Sequence, residues 1–263
     1  VYYKNTESQA EPKVKYSDEK SVNFDVRLVP DRDYTFVVWA DVVKKNDAGE
    51  WVDWHYDTFN NETNRIDLAN ITVIDNEWVA MDESRDAFTV SEVVADYNGA
   101  KTIELKLKRP FAKLRVKTTD MKTLSDLHIT PTKATVSYTS KLYKSFNAFD
   151  GTVAGEMQPS QTEYEIAPYA DNDSEGDEQS MILFTDYIFA PKGEDGAVRF
   201  ELTVYDQNGT EDVNKIKFNN FSTDIKTHRN YLTTIEGNIL TDGNNVTVKV
   251  EDAFEGYINN DVD

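Results

Sequence analysis

The sequence contains no cysteine, which excludes disulfides, thiolate metal sites and cysteine nucleophiles by composition alone. Histidine is nearly as scarce. His55, His128 and His228 stand apart from one another, with no H-x-x-x-H or H-E-x-x-H spacing, so a zinc centre has no ligand set. Positive charge is in short supply: Lys+Arg total 28 against 48 Asp+Glu, a formal net charge of −20. A phosphate backbone or an anionic headgroup layer is repelled by such a surface, and nucleic acid is not an expected partner. Uncharged stretches, such as residues 35–40 and 181–185, are far shorter than the roughly 18–20 residues a spanning helix needs. Neither a glycine-rich phosphate loop nor a G-x-S-x-G nucleophile turn occurs. The chain opens Val1-Tyr2-Tyr3-Lys4, without an initiator methionine or a basic segment leading into an apolar one, and reads as a mature or trimmed product.

What is present is enough to build cores. Hydrophobic residues make up 39% and aromatics 12% of 263 residues, a globular composition at a length that suggests two domains. The dominant pattern is alternation with period two. Val22, Phe24, Val26 and Leu28 point one way while Asn23, Asp25 and Arg27 point the other, as in a strand with one dry and one wet face. Tyr34, Phe36, Val38 and Ala40 repeat it, as do Ile103-Leu105-Leu107, Leu114-Val116, Ala134-Val136-Tyr138, Phe200-Leu202-Val204 and Val246-Val248-Val250.

Between these runs lie turn signals: Asn46-Asp47-Ala48-Gly49, Asn98-Gly99, Asp150-Gly151, Asp195-Gly196, Asn208-Gly209 and Asp242-Gly243. Asn-Gly and Asp-Gly supply the positive φ angles of tight hairpins. The expectation is an all-β protein of antiparallel β-sandwich domains, residues 1–152 and 153–263, with residues 121–127 as the best helix candidate and residues 5–20 as a mobile arm or loosely held edge.

Four features invite chemistry, each with a plainer reading. Asp171, Asp173, Glu175 and Asp177, followed in part by Gly176, echo the start of a calcium loop, yet the position of its bidentate glutamate is Ile182; a solvated acidic loop is the alternative. Trp51, Trp54 and Tyr56 could stack on sugar rings, or Trp51 and Tyr56 could fall on opposite faces of a strand with at least one of them in a core. Val246, Val248 and Val250 form a strand that could be donated to a neighbour or close its own domain. Scattered carboxylates could serve a hydrolase, but no motif organises them, and no enzyme or cofactor is expected.

Three segments together resemble the fimbrillin-like pilus subunits of the Bacteroidetes: residues 24–41 (FDVRLVPDRDYTFVVWAD), residues 101–116 (KTIELKLKRPFAKLRV), and residues 230–243 (NYLTTIEGNILTDG) followed by Val246 to Val250. The resemblance implies two transthyretin-like β-sandwich domains and secretion as a lipoprotein to the cell surface and outer membrane. It also implies assembly with other subunits into type V pili by β-strand addition. The lipid-bearing cysteine would lie upstream of this chain. In that family a cut after an N-terminal arginine opens the groove; here the first arginine is Arg27, inside an expected strand. The expected function is a structural or adhesive subunit of a fimbria, or an accessory component of one. The alternative is a non-catalytic glycan-binding surface module, and host or bacterial surface glycans or proteins are the expected partners besides other pilus subunits.

Overall fold

The computed structural model describes residues 2–4, 13–74, 78–166, 180–207, 209–242 and 246–251. In it the alternating runs become strands wherever a neighbour supplies a ladder. The strand β10 (Phe111–Thr118) is the central one: Ala112, Leu114 and Val116 are fully buried. It pairs antiparallel with β15 (Met181–Phe189) and parallel with β18 (Leu232–Gly237). On its far side β18 pairs antiparallel with β19 (Val246–Glu251), so the sheet order is β15-β10-β18-β19. A second, wholly antiparallel sheet runs β14 (Thr162–Glu165), β11 (Pro131–Tyr138), β16 (Gly196–Asp206), β17 (Lys215–Thr227). Phe184 of β15 meets Phe200 of β16 at a 5.4 Å ring separation and Tyr164 of β14 at 6.3 Å, so the dry faces of the two sheets pack on each other. Each fully buried Leu, Ile or Phe in that layer contributes about 1.5–3 kcal/mol.

The remaining strands form a second group. One sheet is β1 (Tyr2–Lys4), β2 (Arg32–Asp41), β9 (Ala87–Tyr97); another is β13 (Val153–Met157), β12 (Leu142–Phe146), β8 (Ile71–Val73), β5 (Tyr56–Asp57). Two small hairpins complete it, β3 (Val43–Lys45) with β4 (Trp51–Asp53) and β6 (Phe59–Asn60) with β7 (Arg65–Ile66). The first turns as expected at Asn46-Asp47-Ala48-Gly49: Asn46 Oδ1 accepts from the Ala48 and Glu50 amides, and Gly49 adopts φ 81°. None of the sheets closes into a barrel. The one α-helix among the described residues is α1 (Met121–Asp126), which buries Met121 and Leu124.

Position 152/153 falls inside the hairpin β12–β13, where Phe146 faces Val153. Between Tyr97 and Phe111 the chain passes from the second group to the sheet of β10, and the hairpin β12–β13 belongs to the second group again. One cluster of buried residues, from Val37 to Leu240, runs through both groups.

Two expected strands do not form. Residues 22–28 and 101–107 keep an alternating half-burial, yet no ladder includes them; only Lys108 bridges to Thr89. Their apolar rows, Val26 and Leu28 from one and Ile103 and Leu105 from the other, cover a small separate cluster of Tyr34, Phe36 and Val94. Alternation records a dry side here without a hydrogen-bonded neighbour. Of the expected arm, residues 13–20 are exposed and unladdered, and residues 5–12 lie outside the described residues.

Candidate functional site

The strand β19 is paired within its own chain, from Val246 opposite Gly237 to Glu251 opposite Leu232. Its faces are set by that register. Val248 lies opposite Ile235 and Val250 opposite Thr233, and in turn Ile235 and Thr233 lie opposite Val116 and Leu114. The valines therefore project from the same face as the buried row of the central strand. They are nonetheless 47% and 43% exposed. The far edge of β19 carries no ladder among the described residues. On the wet face, Lys249 donates to Glu236 Oε2 at 2.7 Å and holds that carboxyl below its usual range. The result is an edge strand with an uncovered apolar row, the arrangement that recruits another strand.

The aromatic run is dispersed. Tyr56 is 1% exposed, donates its hydroxyl to the Arg85 carbonyl at 2.6 Å, and stacks on Phe111 at 5.4 Å; it belongs to the core. Trp51 is 44% exposed and stacks on Tyr16 at 5.5 Å, while Trp54 lies over His55 at 4.5 Å. The three do not share a platform. Asp171, Asp173, Glu175 and Asp177 lie outside the described residues.

Ser84, His55 and Asp82 converge, since Ser84 Oγ lies 2.8 Å from His55 Nε2. Asp82 approaches that same nitrogen at 3.6 Å and also accepts from Ser84, whereas a catalytic triad needs its carboxylate at Nδ1. The imidazole is buried. This arrangement caps a 3₁₀ turn at Glu83–Arg85. No grouping of three or more His, Asp or Glu side chains suited to a metal ion occurs among the described residues.

A polar cavity of about 380 Å³ opens where β5, β8 and the hairpin β6–β7 meet. Asp57 and Thr72 face each other across the β5–β8 pair, Asn60 ends β6, and Asp67 and Asn70 come from the connection between β7 and β8. Phe59 lines the rim, 41% exposed. Composition does carry a signal for this cavity, the density of Asp and Asn between positions 57 and 70, but it reads as turn chemistry alone.

The family model described as Family of unknown function (DUF6562) matches residues 1–263. The chain belongs to that family. Among curated proteins, none matches this DUF6562 chain. Among solved structures, a candidate cell adhesion protein from Bacteroides ovatus is 13% identical and covers 90% of this chain and 74% of its own, with a TM-score of 0.50. A candidate adhesin from Bacteroides thetaiotaomicron is 12% identical over 95% of this chain and 87% of its own, with a TM-score of 0.36. A fimbrial assembly protein from Parabacteroides distasonis is 11% identical over 86% and 71%, with a TM-score of 0.33. The first likeness shows a shared fold; the other two overlap too weakly to add to it.

Proposed function

We propose that this chain is a structural or adhesive component of a cell-surface fimbria, joined to other subunits by β-strand addition. The observation that carries the reading is the edge of β19, with Val248 and Val250 uncovered on the inward face. An incoming alternating strand covers the valines and pairs the edge of β19, which carries no ladder among the described residues, in one step. A second joint lies at Tyr34, Phe36 and Val94, where residues 22–28 and 101–107 lend side chains but no ladder. A strand that supplies both displaces them. Arg27 is exposed within the first of these segments, within reach of a trypsin-like protease.

The likeness to the Bacteroides ovatus adhesion protein supports the same reading, as does the resemblance to fimbrillins. The rest of the proposal follows that resemblance: two transthyretin-like units, a lipid anchor upstream of this chain, and a place at the outer membrane. Limited proteolysis tests the division into units, a first cut within residues 98–108 placing it between β9 and β10 and one at 152–153 placing it in the hairpin.

The test of assembly is a Val248→Lys/Val250→Lys variant. Both positions are half-exposed, so circular dichroism and melting stay close to wild type, while filaments or oligomers seen by electron microscopy and gel filtration disappear. Oligomers that persist in the variant, or a wild type that stays monomeric with and without trypsin treatment, overturn the proposal.

A further inference from the structure

The cavity between β5, β8 and the hairpin β6–β7 has a lining that selects its ligand. Among the described residues no Lys, Arg or His lines it, so phosphate, sulfate and carboxylated sugars meet repulsion from Asp57, Glu62 and Asp67. Nor are its carboxylates grouped to hold a metal ion. What remains is a set of hydrogen-bonding oxygens and carboxamides beside one apolar ring.

Those groups are held in place before any ligand arrives. Asp57 Oδ1 accepts from the Phe59 amide at 2.9 Å, and Asp67 Oδ1 accepts from the Ala69 amide at 2.9 Å. Asn60 Oδ1 accepts from the Glu62 amide at 3.0 Å, while its Nδ2 donates to Asp67 Oδ2 at 3.4 Å. Below them, Thr58 is tied through its amide and hydroxyl to Asp53 Oδ2, at 2.7 and 2.9 Å. The bonds to Asp57 and Asp67 leave acceptor sites of their carboxylates unused, whereas Asn60 Oδ1, which also accepts from the Thr63 amide at 3.2 Å, is filled. Acceptors on Asp57 and Asp67 and both functions of the Asn70 amide stay available to hydroxyl groups. Phe59 adds an apolar face at the rim, and a ring bearing hydroxyls on its edge and C–H bonds on its face satisfies both. At about 380 Å³ the cavity falls within the roughly 300–1,000 Å³ of small-molecule sites.

We propose that this cavity binds an uncharged saccharide residue, its hydroxyls bonded to Asp57, Asp67 and Asn70 and one face stacked on Phe59. The site is distinct from the dispersed aromatic run, and it operates whether or not the chain polymerises.

Saturation-transfer NMR of the intact chain against a panel of neutral oligosaccharides, with sialic acid and glucuronic acid as the anionic arm, tests this in EDTA-containing buffer. At least one neutral sugar gives signal, the acidic sugars give none, and Phe59→Ala and Asn70→Ala each weaken binding about tenfold. Trp51→Ala, outside the cavity, binds as wild type. Both test positions are exposed, and an unchanged circular dichroism spectrum confirms that each variant is folded. Silence from every neutral sugar, preference for the acidic ones, or binding by Asn70→Ala and Phe59→Ala as strong as wild type overturns the proposal.

Discussion

Arg85 and Asp186 stand 101 positions apart in the chain and meet side chain to side chain within the core. Their side chains are 2% and 0% exposed. Tyr138 donates its hydroxyl to the other carboxylate oxygen at 2.8 Å, Arg85 Nη2 donates to the Tyr187 carbonyl at 3.1 Å, and the guanidinium lies 3.7 Å from the Trp78 ring centre. The pair clamps the loop before β9 against β15. Arg85→Ala leaves a buried carboxylate without its cation, and a loss of about 3–5 kcal/mol is expected in urea denaturation. The double variant Arg85→Met/Asp186→Leu removes both charges and recovers most of that loss; a double variant no better than the single one contradicts this account.

The aromatic run divides by burial. Tyr56→Ala empties a core position between Phe111 and Trp39, so a cost of about 3–5 kcal/mol is expected. Trp51→Ala removes a surface stack on Tyr16 and shifts stability by less than about 1 kcal/mol. Thermal melts of the two variants side by side check the ordering.

Asp41 makes stability depend on pH. Burial pushes its carboxyl up to about 7, with the Trp39 indole opposing and the Asp53 carboxylate adding to the rise. The folded chain therefore keeps this proton to a higher pH than the unfolded chain, whose value is near 3.8. It follows that stability falls as pH rises from about 4 through 7, and the full cost is felt above that range. Asp41→Asn removes the titration, with a gain of about 1–3 kcal/mol at pH 8 and almost none at pH 4. Melting of both proteins across that range measures the difference, and parallel curves count against it.

Gly151 sits at φ 78°, and a Cβ there would come within 2.5 Å of Arg229 Nη1. The same guanidinium donates to the Gly151 carbonyl at 2.6 Å and to the Ala190 carbonyl at 3.2 Å, while lying over Phe146 at 4.7 Å. Gly151→Ala combines a left-handed backbone with displacement of that arginine. A destabilisation of about 1–3 kcal/mol is expected in chemical denaturation, and a neutral result would mean that the turn relaxes freely.

The sandwich was largely legible in the sequence. Leu114 and Val116, Val136 and Tyr138, and Leu202 and Val204 alternate because each strand has one dry face, and all are buried as that pattern requires. The same alternation misled at Val26 and Ile103, since it reports which side is dry and is silent on whether the backbone finds a ladder. The spacing of Trp51 and Tyr56 puts them on opposite faces of a strand, but it does not say which of the two faces is dry; the structure buries Tyr56. The cavity escaped because Asp57, Asn60, Asp67 and Asn70 match no motif, and only the folded chain brings them to one place.

The parallel pairing of β10 with β18 has a consequence for biogenesis. Thr118 and Gly237, at the ends of that pair, are separated by 119 positions, so the innermost strand is made long before its second neighbour exists. Until synthesis passes residue 237, one flank of the interior stays raw, and a chain truncated anywhere short of position 232 is left with a sticky, half-dressed centre. Completion of this molecule runs from its tail inward, and nascent or fragmentary copies are the forms that call for a chaperone.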